Sequence, residues 1–391
     1  MTVGPAVLRV ITRLNIGGPS TQAIYLTEEL ARRGYDPHLA WGLEAAREGR
    51  VDLPADLPAT HLPDLRRELA PAVDRRATRA IRRLIVERRP QIVHTHMAKA
   101  GALGRWAAQR EHVPIVVHTY HGHVLQEYFS RWKERAFLEA ERRLARRTDA
   151  LLAVSEEVRS DLLAMGIGTP DRWRVVPVGV DLSAFETLPD RAAARAGLGL
   201  PADAPVVGCV GRLVAVKDHA TLLDAFTRLV ERQPDAVLLI AGDGDLDGSL
   251  RQRARHLGDR VRFLGWVNDL PTLYAAIDVL ALTSRMEGTP VAAIEAAAAG
   301  VPAVATRVGG VPSVVLDDHT GLLVPAGDAP AVADALASLF GDPGQRRGMG
   351  QAAAAHVRGR FSRERLADDL DALYRELLAR KGLPGPATAP G

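Results

Sequence analysis

Cysteine is almost missing from this chain. The one present, Cys209, excludes an intrachain disulfide and any multi-cysteine zinc site, and it fits a reducing compartment. Its neighbours, Val206 to Val210, read as a buried strand. Long apolar runs are missing too. Even the Ala-rich stretch from Val291 to Ala305 is broken by Glu295, Gly300 and Pro302, so no segment is expected to span a membrane. Residues 1–10 lack a charged segment followed by an apolar stretch and a small-residue cleavage site, and a cytoplasmic location is expected. Lysine is scarce, four of 50 basic residues, so the arginine count alone says little about partners.

What is present is an ordinary globular composition, 47% hydrophobic and 25% charged over 391 residues, which predicts two domains with two cores. The net charge of +3 is unevenly spread, at +6 over residues 1–185 and −3 over 186–391. Nine arginines lie between Arg66 and Arg89, and Arg131 to Arg147 reads as a basic amphipathic helix. Acids are interleaved throughout, so a solvated helical face is one reading and a peripheral contact with an anionic membrane surface is the other. A nucleic-acid-binding protein is a third idea, prompted by a pI near 9.2. Interleaved acids and the lack of a recognition motif argue against it, and no nucleic-acid partner is expected.

Short β-rich runs alternate with helical patterns almost throughout. Strands are expected at Val7–Thr12, Pro37–Trp41, Gln91–His94, Ile115–Thr119, Ala150–Val154 and Trp173–Pro177, then at Val206–Val210, Ala236–Ala241, Val261–Leu264, Val279–Leu282, Pro302–Ala305 and Gly321–Val324. This is an α/β class of two doubly wound, Rossmann-like domains, residues 1–180 and 186–360, with ligands expected in a crevice at the carboxyl ends of the strands. Residues 178–205 loosen into a linker candidate. Phe361 to Lys381 reads as one amphipathic helix returning to the first domain, and residues 383–391 as a tail.

Several motifs sit where such folds place their chemistry. Gly17-Gly18 in the first βα turn lets backbone N–H groups approach an anion, though without G-x-G-x-x-G spacing. His94 and His96 end one strand; His121 and His123 follow the next, as donors to a substrate, as metal ligands or as structural loop residues. Gly211-Arg212 follows a strand directly and Lys217 precedes a helix, a guanidinium and an ammonium suited to a diphosphate. Asp243 to Gly248 resembles the start of a calcium loop, but Ala254 stands where its last acid belongs, so a glycine turn containing Gly244 is the better reading. In the run from Arg285 to Glu295, Thr289-Pro290 reads as a capping Thr followed by Pro at the first helical position. Glu287 precedes that helix and Glu295 lies inside an apolar stretch, where its carboxylate calls for a polar partner.

Taken together, Gly17-Gly18, HTHMAKAG, HGHVLQEYFS, VSEEVRSDL, VPVGVD, GRLVAVKD, AGDGDL and EGTPVAAIEAAAAGVPAVAT resemble the retaining nucleotide-sugar glycosyltransferases of glycosyltransferase family 4, which have the GT-B fold. The pair of glutamates separated by seven residues, Glu287 and Glu295, is the most specific part. The resemblance implies that Arg212 and Lys217 hold a donor diphosphate, with Gly17, Gly18 and Gly211 beside it. It also implies that Glu295 binds the ribose hydroxyls, that Glu287 contacts the donor sugar, and that His121 sits close to the bond being broken. Gly244 and Val267 would lie near the base and ribose, and Gly288, Thr289 and Pro290 would present backbone donors. His94, His96, His123 and Phe129 would belong to the acceptor half. The implied activity moves a sugar from a UDP-sugar, with GDP-mannose the alternative donor, to a lipid-linked or saccharide acceptor, with no cofactor and no obligatory metal. A sugar-nucleotide epimerase on the same architecture is the rival reading.

Overall fold

A computed structural model describes residues 4–14, 18–43, 51–122 and 131–386. The chain forms two compact units: Met1–Gly179 with Arg363–Gly391, and Val180–Ser362. The first contains β1 (Ala6–Ile11), α1 (Gly18–Arg32), β2 (Asp36–Trp41), β3 (Ala59–His61), α2 (Pro71–Arg88), β4 (Ile92–His96), α3 (Ala98–Arg110), β5 (Ile115–Tyr120), α4 (Arg131–Ala145), β6 (Ala150–Ala153), α5 (Glu156–Ala164) and β7 (Trp173–Val175). The second contains α6 (Arg191–Gly197), β8 (Val206–Val210), α7 (His219–Arg232), β9 (Val237–Ala241), α8 (Asp247–Arg253), β10 (Val261–Gly265), α9 (Leu270–Ala276), β11 (Val279–Leu282), α10 (Val291–Ala298), β12 (Ala303–Thr306), α11 (Val311–Val314), β13 (Gly321–Val324), α12 (Ala329–Gly341) and α13 (Pro343–Arg360). The chain then re-enters the first unit as α14 (Arg363–Arg380).

Each sheet is parallel, which is why its central strands are buried on both faces rather than alternately; those of the second sheet are near-continuous aliphatic runs, while β1, β4 and β5 of the first carry buried Arg, His and Thr among their Val, Ile and Leu. The strand orders are β3-β2-β1-β4-β5-β6-β7 and β10-β9-β8-β11-β12-β13. In both, the order reverses next to the unit's first long strand, between β1 and β4 and between β8 and β11. Chain leaving the carboxyl ends of those neighbours diverges there and leaves room for a ligand. The segments after β8 and β11 carry Lys217 and Glu287.

From Val180 onward the loosened stretch expected to be a linker is instead part of the second unit. Asp190 caps Ala193 N–H at 2.9 Å and starts α6, whose Arg195 is buried against Asp278 (2.9 Å) and the Ala276 carbonyl (3.1 Å). Its brevity and its Ala, Gly and Arg content hid it. The expected helix at 361–381 begins only at Arg363, because Phe361 closes the preceding helix α13, whose glycines obscured its periodicity. No helix among the described residues is long and apolar enough to cross a membrane.

In the first unit, Leu366, Leu370, Leu373, Leu377 and Leu378 of α14 pack with Val7, Ile92, Val117 and Leu152 from four neighbouring strands. Removing such a side chain forfeits its transfer energy and leaves a cavity. Leu370→Ala is expected to cost about 2–5 kcal/mol in chemical denaturation of the first unit. A cost below about 0.5 kcal/mol, typical of surface changes, would deny α14 its place in that core.

Candidate functional site

The second unit builds its polar site from two strand ends. After β8, Leu213 N–H donates to the Asp243 carbonyl (2.9 Å) and Leu246 N–H to the Leu213 carbonyl (3.0 Å), so the turns after β8 and β9 are stitched together. A Cβ on Gly244 would stand 2.5 Å from the Leu213 oxygen, which is why glycine is required there. The chain then makes a 3₁₀ turn, Ala215–Lys217, before α7. Asp218, between them, adopts a left-handed conformation (φ 47°, ψ 47°), tolerable for Asp but uncommon. Its buried carboxylate accepts from Arg285 Nε (2.9 Å) and Thr221 Oγ1 (2.9 Å), while Thr283 donates to its carbonyl (2.9 Å). Burial pushes that carboxyl up, but the Arg285 and Thr221 hydrogen bonds prevail and hold it below the usual range. These bonds tie the segment after β8 to the segment after β11.

The tie places Lys217 Nζ 2.5 Å from Glu287 Oε1, and Ser284 Oγ donates to the same oxygen at 2.7 Å. Glu287 is only 9% exposed. Its backbone is anchored in turn by Gly310 N–H (3.3 Å), and Gly309 at φ +46° passes so close that a Cβ would stand 1.9 Å from the Glu287 oxygen. Glu295 has a different partner. The Tyr274 hydroxyl lies 3.1 Å from its Oε2, supplying the polar partner that an acid in an apolar helix requires. Desolvation raises its pKa to about 7 even though the Tyr274 hydrogen bond opposes the rise.

Thr289 does not cap α10. The helix begins at Val291, with Pro290 extended (ψ 100°) at the capping position, so Thr289 stands one residue too early and its buried Oγ1 has no hydrogen-bond partner. Pro290 has no N–H to offer, contrary to the expectation of a donor there. The unpaired first-turn N–H groups belong to Val291 and Ala292, because Ala293 N–H already bonds the Pro290 carbonyl at 3.1 Å. Arg212 is exposed and has no ion pair among the described residues, following Gly211 at the end of β8. Val267 is half-buried in the turn between β10 and α9.

In the first unit, Gly18 opens α1, while Gly17, His123 and Phe129 lie outside the described residues. His94 is a core residue rather than a substrate donor. It is fully buried, with Nδ1 2.6 Å from the Tyr374 hydroxyl and Nε2 2.7 Å from Thr119 Oγ1. The extension of β4 through His96, beyond the expected end at His94, is what carries His94 inside. His96 and His121 do meet, Nδ1 to Nε2 at 3.3 Å. Burial, followed by the Arg9 charge, lowers the His121 pKa to about 4. No three His, Cys, Asp or Glu side chains gather as metal ligands among the described residues.

Sequence reasoning missed Ser284, Tyr274, Asp218, Arg285 and Arg9. Only Arg9 had a visible signal, a charge inside a six-residue apolar strand.

A family model described as Glycosyl transferases group 1 matches residues 190–356, and one described as Glycosyltransferase Family 4 matches residues 16–184. The chain is 37% identical over 306 residues to a D-inositol 3-phosphate glycosyltransferase of Saccharomonospora viridis, covering 74% of this chain and 70% of that one. It is 31% identical over 290 residues to the UDP-Gal:alpha-D-GlcNAc-diphosphoundecaprenol alpha-1,3-galactosyltransferase of Escherichia coli, covering 73% and 75%. Among solved structures it resembles sucrose-phosphate synthase from Thermosynechococcus elongatus, with a TM-score of 0.82 and 26% identity over 96% of this chain and 100% of that one.

The raised Glu295 pKa sets a sign. The folded state holds that proton to a higher pH than the unfolded chain, whose value is near 4.5, so stability contributed below 4.5 is lost as pH rises towards 7. Glu295→Gln is expected to remove this fall. The check is the difference in thermal midpoint between wild type and variant across pH 4.5–7, and a flat difference would contradict the shift.

Proposed function

The chain belongs to glycosyltransferase family 4 and is a hexosyltransferase of GT-B architecture, and from that premise we propose that it moves a sugar from a UDP-sugar to a hydroxyl of a lipid-linked or saccharide acceptor with retention of configuration. The observation that carries this reading is the Lys217–Glu287 contact of 2.5 Å at the β8/β11 switch point, with α10 starting just beyond it. A carboxylate holds the ammonium in place until a more strongly charged diphosphate takes it over. Arg212, exposed and free of ion pairs among the described residues, closes on the same group, and the N–H groups at the start of α10 add their partial charge.

Departure of a nucleoside diphosphate then needs no metal, because two cations and a helix terminus stabilise the charge that develops. The sugar passes through an oxocarbenium-like state. The acceptor hydroxyl attacks the face that the diphosphate leaves, and the leaving phosphate takes its proton. Glu295, whose pKa of about 7 lets it both donate and accept near neutrality, binds the ribose hydroxyls. Glu287 meets the sugar through Oε2, the oxygen that takes neither the Lys217 nor the Ser284 bond. The Gly211 and Gly244 turns and Val267 line the base and ribose, with Gly288 and Thr289 beside the sugar. Family membership assigns His121 to the sugar, Gly17 and Gly18 to the diphosphate, and His123 and Phe129 to the acceptor, whereas His96, buried with both ring nitrogens engaged, does not serve the acceptor. The E. coli relative, named for UDP-Gal and a diphosphoundecaprenol acceptor, supports a UDP-sugar donor and a lipid-linked acceptor, and the role that goes with them is cell-surface glycolipid or polysaccharide synthesis at the inner face of the membrane.

Lys217→Ala and Glu295→Ala are each expected to cut transfer about 10²-fold or more while the circular dichroism spectrum is kept. Turnover with UDP- and GDP-sugars, with product anomers read by NMR, tests donor and stereochemistry. Wild-type turnover lost in excess EDTA would refute the metal-independent scheme. Conversion of donor alone, without acceptor, would instead mark an epimerase.

A further inference from the structure

Arg9 is fully buried in the middle of β1, yet it has no carboxylate partner among the described residues. Nη1 donates to the Ala23 carbonyl at 2.7 Å and lies 3.4 Å from Thr27 Oγ1, Nη2 lies 3.1 Å from His96 Nε2, and Nε has no hydrogen-bond partner. Burying a cation without a counter-ion is costly, and burial lowers its pKa. What offsets that cost is the set of acceptors it donates to.

A guanidinium only donates. His96 Nε2 must therefore accept, and a neutral His96 carries its proton on Nδ1. That nitrogen faces His121 Nε2 at 3.3 Å, so His121 Nε2 must accept in turn and its proton also sits on Nδ1. We infer that Arg9 is a positioning residue: acting through His96, it fixes His121 as the neutral tautomer protonated on Nδ1, which meets the donor sugar as a hydrogen-bond donor and takes no proton from the acceptor. The last clause rests on the function proposed above. Doubly protonating either ring would set two donors against each other. The charged and titratable groups around the chain act in the same direction or are neutral. Arg9 from β1, His94 on β4 (rings 4.2 Å from His96) and His118 on β5 disfavour a charge, and Tyr374 from α14 is held neutral by burial. A ring locked this way leaves the acceptor's proton to the departing phosphate.

The test is a long-range ¹H–¹⁵N correlation spectrum of the full chain labelled in histidine. Wild type is expected to show a protonated Nδ1 and a bare Nε2 on both His96 and His121, from neutral pH down to about pH 5. Arg9→Met should mix the tautomers, raise the His121 titration midpoint by about one unit or more, and add to kcat, beyond the Glu295 titration that both enzymes share, a dependence at that new midpoint. His96→Asn should preserve the His121 tautomer, because its amide oxygen accepts from Arg9 and its amide nitrogen donates to His121; His96→Leu should not. A proton on His121 Nε2 in wild type would overturn the inference, as would an unchanged His121 titration in Arg9→Met. If Arg9→Met does not fold, the wild-type spectrum and the two His96 variants decide. The spectra need no substrate, so a chain that transfers no sugar while His121 keeps its Nδ1 proton would overturn the proposed function and support the tautomer assignment.

Discussion

An ammonium held 2.5 Å from a nearly buried carboxylate at the junction of two parallel strands is the contact on which the second unit turns. Lys217 and Glu287 are seventy residues apart, and nothing local brings them together. What does is the strand order, which sets β8 beside β11 and lets the chain after each diverge. The Asp218–Arg285 bond then fixes how far the two segments open. Taking one member of such a pair away leaves a poorly solvated charge, which is why the arrangement favours a ligand that replaces one partner with a stronger one.

The first unit handles polarity differently. Its sheet buries Arg9, His94, His96, His118 and Thr119 along β1, β4 and β5, and among the described residues no carboxylate meets Arg9. Each ring is satisfied by a neighbour: His94 by Tyr374 and Thr119, His118 by Thr95, His96 by Arg9 and His121. Burial holds all four imidazoles neutral, as their lowered pKa values indicate. In a low-dielectric network of this kind an unmatched donor is costly; of the groups named here Arg9 Nε alone is left without an acceptor, and matching the others makes proton positions specific. The α14 helix completes it, contributing Tyr374 from the far end of the chain.

Most of the fold was legible because a parallel sheet writes itself as uninterrupted apolar runs separated by helical periods. Val206–Val210, Val279–Leu282 and Gly321–Val324 were readable to the residue. The elements that escaped were short, such as β3 with three residues between prolines, or glycine-rich, such as α13. The Thr289 cap was misread for a subtler reason. Ser or Thr before Pro is a sound helix-start signal, but backbone conformation decides which of the two residues takes the capping position, and here Pro290 takes it.

Composition, periodicity and the spacing of motifs were enough to establish two doubly wound halves, the absence of an intrachain disulfide, and which segments carry Lys217, Glu287 and Glu295, because these are properties of local chain and residue type. Tertiary structure alone decided their chemistry. Lys217 finds Glu287, Glu295 finds Tyr274, and Arg9 reaches His96 across adjacent strands, all through contacts between residues 21 to 87 positions apart in the chain. Burial, charge proximity and the direction of a hydrogen bond depend on distance in space, and no one-dimensional pattern specifies it.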